Sequence, residues 1–166
     1  MSRNNITFED NSIKIKNILN RQCVAYLYEA AGELEAQVKR NTAVDSSSLK
    51  GSWKYKVDES AMVATIGSPQ ENAIWEEFGT GEYALNGDGR KGWWVYVKGS
   101  NKKSHSPKQY TEEKARQVVA ILRSKGLEAY MTKGKHPKRA FQKAFTSKKQ
   151  GLIRRFASII SQGFER

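Results

Sequence analysis

Cysteine is nearly absent from this chain of 166 residues, since Cys23 is the only one. One thiol excludes an internal disulfide and a CxxC metal knuckle, so the chain shows no dependence on an oxidising compartment. Apolar runs are short as well: none approaches the ~20 residues that span a bilayer, and the first residues lack the apolar segment of a signal peptide. We therefore expect a protein that is soluble as made, synthesised inside the cell and without a membrane partner.

Histidine is scarce, and so are acidic residues in the second half of the chain. His105 and His136 are the only imidazoles, and neither stands near a second His, a Cys or an acidic cluster in sequence. A zinc site or a catalytic triad would need partners that this sequence does not offer. We predict no catalytic residue, no metal site and no cofactor.

Positive charge, in contrast, is abundant and unevenly distributed. The formal net charge is +12, with −2 in residues 1–81 and +7 in each of residues 82–135 and 136–166. This asymmetry favours an anionic partner for the second half, either nucleic acid or an acidic protein face. A solvated, lysine-rich surface explains the charge equally well.

The spacing of apolar residues predicts the elements of the fold. Steps of three and four predict one amphipathic helix from about residue 11 to 40 and a second over residues 136–166. Alternation in LKGSWKYKVD and in AMVATIG predicts a hairpin, and WWVYV and LEAYMT predict two further strands. Thr111 is predicted to cap a helix that Gly126 ends.

These elements predict an α+β fold. We expect a small, mainly antiparallel β-sheet flanked by long N-terminal and C-terminal helices, with residues 1–166 forming a single domain. Residues 82–134 form a basic insertion within it. Phe141 and Phe145 lie one helical turn apart and are predicted to enter the core beside the first helix.

The segment NAIWEEFGTG, residues 72–81, sets two adjacent carboxylates beside a Gly-Thr-Gly triplet. Neighbouring residues on a helix point about 100° apart, so Glu76 and Glu77 do not converge on one small substrate by local geometry. The triplet Gly79, Thr80 and Gly81 lacks the lysine and the spacing of a phosphate-binding loop. A structural interpretation is favoured, in which one carboxylate faces solvent, the other meets a neighbouring cation, and Gly79 ends a short helix.

Three stretches, in this order, resemble a known family: NTAVDSSSLKGSW, NAIWEEFGTG and KHPKRAFQKAF. Together they resemble the tail-component family of long-tailed bacteriophages, also called neck or tail-completion proteins. The likeness runs from the first helix to Gly81 and again from Gly134 onward. Ala43 stands where the family has proline, and serines stand in place of Thr-Gly. Phe141 follows Pro137 by four residues, where the family has the two adjacent.

The resemblance implies a structural protein of the virion, located in the tail or neck and synthesised in the cytoplasm of the host bacterium. Copies are expected to form a homo-oligomeric ring, sixfold or twelvefold, with double-stranded DNA in its lumen. Its neighbours would be head-completion or connector proteins and tail-tube proteins. In this family Trp75 and Phe78 would pack on the sheet, and the glycines of the turn would permit close backbone approach.

The basic insertion supplies the residues that would meet a partner. Lys102, Lys103 and Lys108 are predicted to face either the DNA or a neighbouring protein. A stand-alone basic nucleic-acid-binding module is the alternative, and it predicts that log affinity for duplex DNA falls by about 0.9 per phosphate contact as log salt rises. A nuclease is less favoured, because the basic half has too few acidic residues for a two-metal site.

Overall fold

The computed structural model describes residues 10–42, 47–99 and 109–164. The helices among them are α1 (Ser12–Asn41), α2 (Ser47–Ser52), α3 (Glu71–Phe78), α4 (Glu112–Ser124) and α5 (Ala140–Phe164). The strands are β1 (Lys54–Asp58), β2 (Val63–Gly67), β3 (Thr80–Gly81), β4 (Trp94–Val97), β5 (Ala129–Thr132) and β6 (Gly134–Lys135). The α+β class is confirmed.

The chain divides into two compact units, which we name the terminal unit and the central unit. The terminal unit consists of Met1–Ser68 together with Phe141–Arg166, and the central unit consists of Pro69–Ala140. The central unit thus contains the whole of the expected insertion, residues 82–134. The organisation of the chain as a single domain stays a prediction.

The strands pair differently from the expected single sheet. In the described parts of the chain they form three separate two-stranded antiparallel sheets, β1 with β2, β3 with β6, and β4 with β5. Two of these pairs join segments that are distant in sequence. The sheet content is therefore small, and the helices supply most of the packing surface.

Helix α1 is the longest helix of the terminal unit, and α5 packs against it. The Tyr26 hydroxyl donates a hydrogen bond to the main-chain oxygen of Leu152 at 2.5 Å, and the two residues share a core cluster with Ala30. Glu33 pairs with Arg155 and, at 2.9 Å, with Lys148. The rings of Tyr26 and Phe156, with centres 5.2 Å apart, add to the contact between the two helices.

These ion pairs also set the acidity of Glu33. The hydrogen bond from Arg155, followed by the one from Lys148, holds the pKa of the Glu33 carboxyl below its usual value. Glu33 therefore remains ionised at neutral pH and keeps both cations on α5 paired with α1.

The hairpin is confirmed, but its start is not a strand. β1 and β2 pair in register with Tyr55 opposite Ile66. The preceding residues form α2, in which the Ser52 hydroxyl donates to the main-chain oxygen of Leu49 at 2.7 Å. Trp53 is buried, whereas Tyr55 is 37% exposed and its ring lies at 76° to that of Tyr28 of α1.

Helix α5 begins at Ala140 and not at residue 136, and its phase differs from the expected one. Phe141 is half-buried, with its ring stacked 6.3 Å from that of Trp53. Phe145 is 43% exposed, so its assignment to the core is wrong. The reason is that Ala144 takes the fully buried position, and the next residue lies 100° further around the helix.

The core of the central unit confirms the remaining elements. β4 pairs with β5, and α4 covers them through a buried cluster of Val95, Ala115, Val119 and Ala129. Thr111 caps α4 by accepting a hydrogen bond from the main-chain N–H of Lys114 at 3.4 Å. Gly126, at φ +75°, follows the end of that helix.

The two phenylalanines of α5 provide a matched test of its phase. Phe141→Ala should lower the free energy of unfolding by about 2–3 kcal/mol, because it removes a ring stacked on the buried Trp53. Phe145→Ala should cost less than about 1 kcal/mol, because that ring already lies partly in solvent. Urea unfolding of both variants gives the comparison, and equal losses would show that the helix is rotated from the position described.

Candidate functional site

The segment 72–81 forms a helix and a tight exit from it. The main-chain N–H of Gly79 donates to the oxygen of Trp75 at 2.9 Å, which confirms that Gly79 ends α3. Gly79 has φ +75° and ψ 178°, a combination that is accessible mainly to glycine. The chain therefore turns out of the helix at Gly79 and passes directly into β3.

The extended exit is held against β6 by close backbone contacts. Thr80 pairs with Lys135, and its hydroxyl accepts a hydrogen bond from the Lys135 N–H at 3.0 Å. A Cβ atom on Gly79 would lie 2.8 Å from the main-chain oxygen of Tyr83, and one on Gly81 would lie 2.6 Å from Cη2 of Trp94. Both positions leave no room for a side chain, as the expected close approach requires.

Glu76 is the carboxylate that meets neighbouring cations. Its side chain pairs with Lys135 and lies 3.5 Å from Nζ of Lys138. Its main-chain oxygen accepts hydrogen bonds from the N–H groups of Lys138, at 2.7 Å, and Arg139, at 3.3 Å. We name this set of contacts the Glu76 clasp. Glu77 is partly buried and has an interaction of its own.

The expectation that Trp75 and Phe78 pack on a sheet is wrong. Their side chains are 50% and 46% exposed, and Ile74 is 62% exposed. The reason is the orientation of the helix: Ala73 is buried and Glu76 turns to its clasp, so the larger apolar residues point outward. Leu85 continues this apolar surface, because its N–H donates to the main-chain oxygen of Phe78 at 2.9 Å.

We name this surface the α3 outer face. It consists of Glu71, Ile74, Trp75, Phe78 and, after the turn, Leu85. The first four follow the spacing i, i+3, i+4 and i+7, which places them along one side of a helix. An apolar stripe at this spacing normally faces a core, and here it faces solvent.

Cations over aromatic rings form a second feature beside the clasp. Nζ of Lys133 lies 5.6 Å from the ring centre of Tyr83 and 3.4 Å from the Glu82 carboxylate. Tyr83 and then Glu82 raise the pKa of Lys133, so this lysine stays charged. The imidazole of His136 stacks on Tyr83 with ring centres 3.6 Å apart.

The sequence offered little to identify this cluster, since its members come from three separate segments. Trp93 lies in it as well, with Nζ of Lys133 5.8 Å from its ring centre, and the adjacent Trp94 has the Arg90 guanidinium 5.1 Å from its ring. The two adjacent tryptophans, Trp93 and Trp94, are the signal that the sequence does contain.

Some of the residues singled out in the sequence lie outside the described residues. These are Lys102, Lys103, His105 and Lys108. Within residues 10–42, 47–99 and 109–164, no three His, Cys, Asp or Glu side chains are grouped so as to hold a metal ion. No helix in those ranges is both long enough and apolar enough to cross a membrane.

The comparisons with known proteins identify the class of the N-terminal part: residues 7–79 match a family of bacteriophage tail components. The family is described as "Bacteriophage HK97-gp10, putative tail-component". The matched stretch contains α1, α2, the hairpin and α3. No curated protein and no solved structure matches the chain.

The match confirms the resemblance seen in the sequence for these residues. It supports a structural role in a phage tail and, with it, a location in the virion. The likeness of KHPKRAFQKAF lies beyond the match and rests on the sequence pattern alone.

Two glycines with similar backbone angles allow a test of the close approach at the turn. Gly81→Ala should lower the free energy of unfolding by more than about 3 kcal/mol, because the methyl group would meet Trp94 and the β6 backbone. Gly87→Ala should cost only about 1–2 kcal/mol, since Gly87 also has positive φ but nothing lies within 4 Å of its Cβ position. If chemical denaturation showed the same loss in free energy of unfolding for both variants, the loss at Gly81 would come from its backbone angle alone.

Proposed function

We propose that this protein is a structural component of the junction between phage head and tail, either completing the tail or forming part of the neck. The observation that carries the proposal is the match of residues 7–79 to a tail-component family. The order of the sequence motifs beyond that match, from the turn to the start of α5, supports the more specific location.

We further propose that copies form a homo-oligomeric ring through which DNA passes. The α3 outer face supports self-association, because large apolar side chains at helical spacing are seldom left in water without a partner. The charge supports a polyanionic neighbour, since residues 82–135 and 136–166 each carry +7. A ring of this kind has contacts between two different patches on each copy.

A structural role, without catalysis, fits the geometry of the two adjacent glutamates. Glu76 is engaged by Lys135 and Lys138 through its carboxylate and by main-chain N–H groups through its carbonyl. A carboxylate paired in this way serves to join segments of the chain. The residue types around it form a turn and offer no nucleophile beside a base.

Removal of the gene from its phage tests the proposed location. Lysates should then contain DNA-filled heads and separate tails, and addition of the purified protein should restore joined particles. Negative-stain electron microscopy and plaque counts measure both effects. Normal particles in the absence of the protein would exclude a role at the junction.

The basic insertion offers a more specific prediction. Charge reversal to Glu at Lys102, Lys103 and Lys108 should reduce joining of heads to tails at least tenfold, because the segment would then repel DNA or an acidic partner. The thermal unfolding temperature should not change. A triple variant at exposed lysines of the terminal unit, Lys14, Lys54 and Lys56, is the matched control. If the two variants were equally infectious, the lysines of the insertion would be merely solvated and would not contact a partner.

The alternative is a stand-alone nucleic-acid-binding module, and the cations over aromatic rings favour it. Arg90 over Trp94 and Lys133 beside Tyr83 combine positive charge with flat ring surfaces, which nucleic-acid sites also use. This function would give tight binding of the isolated monomer to DNA, with a steep loss as salt rises. Such binding, together with normal joining in the deletion phage, would favour the alternative.

A further inference from the structure

The α3 outer face is exposed among the described residues, and its chemistry indicates what kind of surface would complement it. It presents Ile74, Trp75 and Phe78 in one stripe, with Glu71 exposed at the N-terminal end. The whole of α3 carries Glu71, Glu76 and Glu77 and neither Lys nor Arg. A complementary surface would therefore be apolar along its centre and positively charged around it.

Helix α5 has such a surface next to its buried stripe. Phe145 and Ile153 are 43% and 57% exposed, and Phe156 is exposed as well. Lys149 lies between them at the same helical spacing, with its ammonium 5.9 Å from the Phe145 ring. We name Phe145, Lys149, Ile153 and Phe156 the α5 flank.

The charge of α5 is opposite to that of α3. The 25 residues of α5 contain no Asp or Glu. They contain five cations, Lys143, Lys148, Lys149, Arg154 and Arg155. Two of these, Lys148 and Arg155, are paired with Glu33 of α1, whereas Lys149 stands in the exposed apolar stripe.

We propose that the α3 outer face of one copy packs on the α5 flank of the next copy, with Glu71 close to Lys149. This inference rests on the proposed ring and names the surfaces that form it. In the proposed ring each copy binds one neighbour through α3 and another through α5, so the contact repeats around the ring. A helix that presents anchors at i, i+3, i+4 and i+7 to an apolar groove is a common mode of recognition.

Other exposed apolar residues fit this role less well. Ile13, Ile15 and Ile18 of α1 are exposed, and the last two lie one turn apart, but this group contains no aromatic anchor and has Lys14 and Lys16 between its members. Ile121 of α4 is 55% exposed, and no other large apolar residue one turn away on the helix is exposed. Ile121 is therefore a suitable control position.

Cross-linking between two different variants tests the contact directly. In a Cys23→Ser background, one chain carries Ile74→Cys and the other carries Ile153→Cys, so that a bond between the two positions can form only between copies. A short bis-maleimide linker should join the mixed chains at least tenfold more efficiently than either chain with itself. The pair Ile121→Cys and Ile153→Cys is the matched control. A mixed yield no higher than this control would overturn the proposal.

Charge exchange and truncation test the chemistry of the contact. Glu71→Lys and Lys149→Glu should each weaken self-association about fivefold or more, and the chain with both changes should recover it. Trp75→Ala should weaken it at least tenfold, because aromatic anchors dominate interfaces. Sedimentation velocity gives the association, and thermal unfolding verifies that each variant is folded. A double variant as weak as the single ones, or a native protein that stays monomeric up to the highest soluble concentration, would contradict the contact.

The results separate this inference from the proposed function. Normal complementation of the deletion phage without mixed cross-links would leave the junction role standing and remove the α3–α5 contact. Mixed cross-links together with normal joining in the deletion phage would retain the contact and remove the junction role.

Discussion

The Glu76 clasp is the constraint on which the central unit depends. Its ion pair with Lys135 joins residues 59 positions apart, and its main-chain oxygen fixes Lys138 and Arg139 where the chain turns into α5. Glycines at Gly79 and Gly81 bring the backbone close enough for β3 and β6 to pair beside it. Since α3 must turn Glu76 toward these cations, its large apolar residues are left on the opposite side. The exposed face is thus a consequence of the clasp.

The fold could be predicted from the sequence where the signals are local. The two long helices repeat an apolar residue every three or four positions, and Thr111 and Gly126 mark the ends of α4 by their own backbone chemistry. Pairing of β3 with β6 and of β4 with β5 could not be predicted, because it depends on contacts across long loops. The start of α5 was also missed: Arg139 has φ +55°, an uncommon angle for a residue with a side chain.

The structural role of the two adjacent glutamates could be predicted from the sequence, but the residues that they contact could not. Geometry alone indicated that Glu76 and Glu77 do not act as a pair and that a cation would neutralise one of them. That cation is Lys135, which reaches Glu76 because β6 pairs with β3. No local sequence pattern indicates this pairing. The burial of Trp75 and Phe78 was predicted wrongly for a more general reason. An amphipathic pattern locates an apolar stripe but does not distinguish a stripe that faces the core of its own chain from one that faces another chain.

Charge decides which faces can meet, while apolar area supplies affinity. Two α3 outer faces brought together would oppose Glu71 with the same residue of the other copy, and two α5 flanks would bring Lys149 against its equivalent. Both symmetric arrangements are penalised by like charges that lie next to desolvated apolar groups. Only the unlike pairing relieves the repulsion. A chain with one acidic and one basic apolar face therefore disfavours contacts between like faces and favours contacts between unlike faces, which are the contacts that the proposed ring requires.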